Sequence, residues 1–104
     1  MMRPIFAKRF TELKVQWEQI KFMPDMSGSG THVPSGVWQQ WATSAQNLIL
    51  AVFGEASPHY VNFVDAFKEC HGYDYEVNVL KGIFLSAKED LEGGYVFNVD
   101  LAIM

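Results

Sequence analysis

The side chains best suited to acid–base, nucleophilic or metal chemistry are few. They are His32, His59, His71, the single Cys70, and a carboxylate cluster at Glu89, Asp90 and Glu92. A zinc site needs three or four ligands at short, repeated spacing. Only Cys70 and His71 lie close, and neighbours on a helix point to different faces, so no metal site is expected. His59 falls in the first turn of a helix, where the dipole disfavours its protonation, and His71 falls at a helix end, where the dipole favours it. A Ser-His-Asp triad is assembled in space and leaves no trace in spacing, so a hydrolase stays as a third class of function. A small helical ribonuclease would carry an arginine and a histidine on one helix, about a turn apart, and no such pair occurs. Cys70 sits on an apolar helical face and reads as a buried, inert thiol rather than a nucleophile. The three carboxylates end a helix, where the dipole opposes them. They are either a solvated corner or a contact for a basic helix of a neighbour.

Two stretches invite a ligand. "MPDMSGSGTHVP", Met23 to Pro34, contains a Gly-Ser-Gly. A phosphate loop would need Gly-Lys-Ser/Thr, and a dinucleotide fingerprint a preceding strand and a third glycine. Neither is present, so residues 23–34 read as a flexible loop, and no cofactor is expected. "SGVWQQWATSAQNLILAVFG", Ser35 to Gly54, places two tryptophans among amides. Trp38, Trp41, Ala45, Leu48 and Val52 form one helical stripe, widened by Val37, Ala42, Ile49 and Phe53, whereas Gln39, Gln40, Thr43, Gln46 and Asn47 fill the other arc. So wide an apolar arc belongs to a helix in the middle of a bundle. The competing reading is a small-molecule pocket of Trp38, Trp41, His59 and Tyr60 at the corner between the second and third helices.

The elements that must position these residues follow from periodicity and caps. Phe6, Phe10, Leu13, Trp17 and Ile20 recur at heptad-like steps after Pro4, which suits a first helical turn, so the first helix is expected over 4–22. Lys8 with Glu12 and Lys14 with Glu18 are opposite charges four apart on its outer face. Ser35 caps a helix over 36–53 that Gly54 stops. Ser57-Pro58 opens a third over 58–71, with Tyr60, Phe63, Val64, Phe67 and Cys70 inward. The fourth spans 75–91 on Val77, Leu80, Phe84, Ala87 and Leu91. Gly82 within it costs ~1 kcal/mol against Ala, and the expected return is close approach of another helix. Residues 95–104, "YVFNVDLAIM", read as either a strand or a short helix or arm. Trp17, Trp41, Phe63 and Phe84 are expected in the core.

A chain of 104 residues is one domain and buries roughly 65% of its unfolded surface. Its charged content of 19% is low, which leaves apolar surface over. The net charge of −4 argues against nucleic acid. Arg3, Lys8, Arg9, Lys14 and Lys21 make the first segment basic while the remainder is acidic, a polarity that copies of the chain could use. The lone cysteine fits a reducing compartment. No secretory signal is seen at the start, and the apolar run Leu48–Phe53 is far short of the ~20 residues that span a bilayer. A cytoplasmic protein without membrane contact is expected.

The runs "WQQWATSAQNLILAVFGEASPHYVNF" and "KGIFLSAKEDLEGGYVF" resemble the helical N-terminal segment of uncharacterised bacterial proteins associated with mobile elements and defence. The resemblance extends from residue 1 to residue 97. In those proteins a further domain follows the Gly-Gly-Tyr, so this chain looks like a free-standing version or a truncation, of the kind integron gene cassettes encode. No catalytic residues are assigned to that segment, and none carry over.

The expectation is therefore an all-α bundle of about four helices with a short C-terminal arm or helix. The favoured function is a non-enzymatic interaction module that self-associates as a homodimer or higher homo-oligomer. Tyr95, Phe97, Val99, Leu101 and Ile103 would form part of its interface. The small-molecule-binding helical domain is the alternative.

Overall fold

The computed structural model describes residues 4–20, 23–24, 31–32 and 35–94. Four helices account for most of them: α1 (Pro4–Glu18), α2 (Ser35–Phe53), α3 (Pro58–Lys68) and α4 (Asp74–Glu92). Two two-residue strands, β1 (Met23–Pro24) and β2 (Thr31–His32), pair antiparallel between α1 and α2. The protein is an all-α bundle, and the segment expected to be an unstructured loop is pinned at these two places. The arm at 95–104, with the interface residues expected on it, lies outside the described residues.

Ring contacts fix the directions of the helices. Trp17 meets Trp41, Trp38 meets Phe67, Phe53 meets His59, and His59 reaches Asp90. Each helix therefore runs antiparallel to the one before it, the up-down-up-down order that short connections favour. One end of the bundle gathers the start of α1, the end of α2, the start of α3 and the end of α4.

The helix ends obey local chemistry. Ser57 is extended, its Oγ accepts the Tyr60 N–H at 3.1 Å, and Pro58 follows at the first helical position. Gly54, with φ 88°, stops α2. Helix α1 ends at Glu18 rather than residue 22, because Gln19 and Ile20 bond back to Gln16 and Trp17 and tighten the last turn. Helix α3 ends at Lys68 rather than 71 for the same reason: Cys70 bonds back to Phe67, and Gly72 turns the chain at φ 97°.

Inside, Phe10, Leu13, Trp17, Trp41, Phe63, Leu80 and Phe84 form one buried cluster with the rest of the stripes. Trp41 is its hub. Its ring centroid lies 4.8 Å from that of Trp17, 5.3 Å from Phe84 and 6.3 Å from Phe63, and its Nε1 donates to the Leu13 carbonyl oxygen at 2.8 Å. Phe10 stacks obliquely on Phe84 at 5.1 Å. Lys81 lies over the Trp17 ring, its ammonium 5.4 Å from the centroid.

Two expectations about surface detail are corrected. Glu12 pairs with Arg9 at 3.3 Å, not with Lys8. Gly82 does not admit a neighbouring helix of this chain. It is exposed, and a Cβ built there would meet nothing within 4 Å.

Candidate functional site

The four residues expected to line a ligand pocket do not converge. Trp38 opens α2, whereas the corner between α2 and α3 lies at its other end, about 22 Å along the axis from Trp38. Trp38 is buried and edge-on to Phe67, with no hydrogen-bond partner for its Nε1 among the described residues. Trp41 is the core hub, and its indole proton is taken by α1. Trp41 lines a hollow of about 180 Å³ with Gln16, Ile20, Val37 and Gln40. That is smaller than the ~300–1,000 Å³ usual for ligand pockets. Tyr60 is half-buried against the core.

His59 has a different task. Its Nε2 lies 2.6 Å from Asp90 Oδ2, and its ring meets the edge of Phe53 at 4.8 Å. The pair ties the first turn of α3 to the last turn of α4. A histidine held by a carboxylate is also the base half of a nucleophilic triad, but the partners shown for His59 are Asp90 and Phe53. Glu92 pairs with Lys88 at 2.8 Å. Two of the three carboxylates that close α4 are thus engaged within the chain.

A second polar knot joins α3 to α4. The Glu76 carboxylate accepts the His71 N–H at 2.9 Å and the Tyr73 N–H at 3.3 Å, and its second oxygen lies 3.2 Å from His71 Nδ1. Burial pushes the Glu76 carboxyl up, but the two N–H donors and the His71 ring outweigh it and hold it below the ordinary glutamate value. A depressed carboxylate stabilises the fold above its unfolded pKa, ~4.3, and that stability is lost as pH falls through the lower folded value. Glu76→Gln is expected to lower stability at pH 7 by ~1 kcal/mol and to shrink the acid-induced loss below pH 4.5. Urea titrations at pH 7 and pH 3.5 measure both effects. Equal losses in wild type and variant between the two pH values would refute the assignment. Beside this knot, burial raises the Cys70 thiol, the Gly72 N–H partly offsets it, and the Glu76 charge adds to the rise. That suits a thiol kept protonated rather than a nucleophile.

Two apolar features of the surface stand out among the described residues. Between α1 and α2, Ile5, Phe6 and Leu48 floor an open groove of about 510 Å³, with Lys8, Arg9 and Glu12 at its rim. The second is the outward strip of α4. Tyr75 is 66% exposed and Val79 52%. They share this strip with Asn78, Gly82, Ser86 and Glu89, directly opposite the buried positions Val77, Leu80, Phe84, Ala87 and Leu91. The outermost strip of a surface helix normally carries its charges. On α4 the charges are displaced to the flanks, where Asp74, Glu76, Lys81, Lys88 and Asp90 each have a contact within the chain. Sequence reading missed this strip because it looks for one stripe per helix, and α4 has a second one. The signal was there in Tyr75, Val79 and Gly82, spaced four and three apart.

No family model matches the chain, and neither a curated protein nor a solved structure matches it. Among the described residues no group of three or more His, Cys, Asp or Glu side chains converges. No helix there is long and apolar enough to cross a membrane.

Proposed function

We propose that this chain is a non-enzymatic interaction module that self-associates. One observation carries the reading: the outward strip of α4, where a partly apolar surface with one charge, Glu89, occupies the place of a solvated face. Exposed apolar side chains four apart, Tyr75 and Val79, support a protein contact more than they support chemistry. The low charge content points the same way. Tyr95, Phe97, Val99, Leu101 and Ile103 are retained as a second contributor. The association with mobile elements belongs to the same proposal and decides no residue.

The test is a comparison of wild type with Val79→Glu by size-exclusion light scattering at rising concentration. Val79 faces solvent, so the variant keeps its fold, as circular dichroism will report. Wild type should gain mass with concentration, and Val79→Glu should elute as a monomer of 11.8 kDa. Deleting residues 99–104 reads the share of the arm. Identical, concentration-independent monomer masses for both proteins would overturn the proposal.

A further inference from the structure

We infer that the groove between α1 and α2 is the seat of this chain's own residues 95–104, with Asp100 set against Lys8 and Arg9 at the rim. The inference goes beyond self-association and does not rest on it. Ile5, Phe6 and Leu48 floor the groove, and Ile5 is 65% exposed. The rim is net basic. Glu12 is held by Arg9 at 3.3 Å, and Lys8 has no ion pair among the described residues. The segment that follows Gly94, "YVFNVDLAIM", complements both features. It is apolar at every second residue from Tyr95 to Ile103, and Asp100 is its one charged side chain.

The exit point and the reach of the chain set the register. Phe10 meets Phe84, and Trp17 lies under Lys81, so the first turn of α1 sits beside the last turn of α4. Gly94, at φ 81°, delivers the following residues to that end of the bundle. From the level of Phe84 the chain climbs about 15 Å to Gly94, whereas Lys8 lies only about 3 Å past the level of Phe10. A segment leaving Gly94 must come back about 12 Å and cross α1, about 10 Å wide, to meet Lys8. The direct path is about 16 Å, and six extended residues span at most about 20 Å. Asp100 is the sixth, so it reaches the rim, while Tyr95 and Val96 do not. In an extended chain Val99 and Leu101 face the opposite way from Asp100, onto the floor of Ile5, Phe6 and Leu48. An exposed ion pair adds little stability, so the apolar contacts hold the segment and Asp100 fixes its register. The tether gives the chain's own segment a millimolar effective concentration at the groove. Exchange of the same segment between two copies is the way it joins chains at higher concentration.

Cysteine cross-linking of the full chain in a Cys70→Ser background, at low micromolar concentration, tests the seat. A disulfide needs Cα atoms within ~7 Å. Ile5→Cys/Val99→Cys places one thiol on the groove floor and one on the segment. Val61→Cys/Val99→Cys is the control, because Val61 is exposed on the first turns of α3, at the same end of the bundle but away from the groove. Both partners of Val99 are solvent-facing, so the variants keep their fold, as circular dichroism will report. The Ile5 pair should close within one chain about tenfold faster than the Val61 pair, the ratio of the two effective concentrations. Asp100→Lys should slow the Ile5 pair, and adding Lys8→Glu should restore most of the rate. Equal rates at positions 5 and 61, or a product that links two copies rather than one chain, would overturn the seat. A rate indifferent to Asp100→Lys would overturn the place of Asp100 at the rim. None of these outcomes bears on the α4 strip, which Val79→Glu tests separately.

Discussion

Trp41→Ala is expected to cost ~3–5 kcal/mol, the range for a large aromatic removed from a core. Three considerations put it at the upper end. Trp41 touches rings from each of the other three helices: Trp17 from α1, Phe63 from α3 and Phe84 from α4. Truncation opens a void at the one point all four helices share. It also removes the indole donor, although the Leu13 carbonyl it serves keeps a helical bond and is not orphaned. A domain of this size has perhaps ~5–10 kcal/mol in total, so the variant should be marginally folded at 25 °C, with the melting midpoint lowered by more than about 15 °C. Thermal and urea unfolding followed by circular dichroism decide it. An unchanged midpoint would remove the hub from the account of the fold.

The second large effect is Phe84→Ala, at ~3–4 kcal/mol. Phe84 is fully buried and bridges Phe10 of α1 to Trp41 of α2. It has no polar atom, so the whole cost is lost contact and cavity. Because Trp41 and Phe84 face the same space, the two truncations should not add. Once one ring has gone, removing the other enlarges an existing void and breaks contacts already lost. A double-mutant cycle is expected to give a coupling of ~0.5–3 kcal/mol. Since the double alanine variant falls below the folding threshold, the cycle is run with Trp41→Phe and Phe84→Leu. Strict additivity of these two would mean that the rings do not share a wall.

Much of the fold was legible from residue types. Ser57-Pro58 announced α3, Gly54 the end of α2, and the inward stripes of α1, α2 and α4 named most of the core, although Val37, read into the α2 stripe, is 45% exposed. Two helix ends were placed three to four residues late, because Gln19, Ile20 and Cys70 close their helices with tight back-bonds that any sequence could make. The candidate pocket failed for a different reason. Trp38 and Trp41 were read as neighbours of the corner between α2 and α3, but a helix from Ser35 to Phe53 puts them about 22 and about 18 Å from that corner. His59 was assigned to a ligand because its carboxylate partner, Asp90, lies on another helix, a distance in sequence no periodicity reports. Gly82 was read as a place for close approach of another helix, but it is exposed and a Cβ built there would meet nothing within 4 Å. The displaced charges of α4 became meaningful only once the inner face of that helix was fixed by packing.

Self-association is the central claim, and sedimentation equilibrium of the intact chain between about 1 μM and several hundred micromolar tests it most directly. The account predicts a mass rising from 11.8 kDa toward twice that value or beyond with concentration, with Val79→Glu holding the monomer mass throughout. A wild-type mass of 11.8 kDa at every concentration would contradict it.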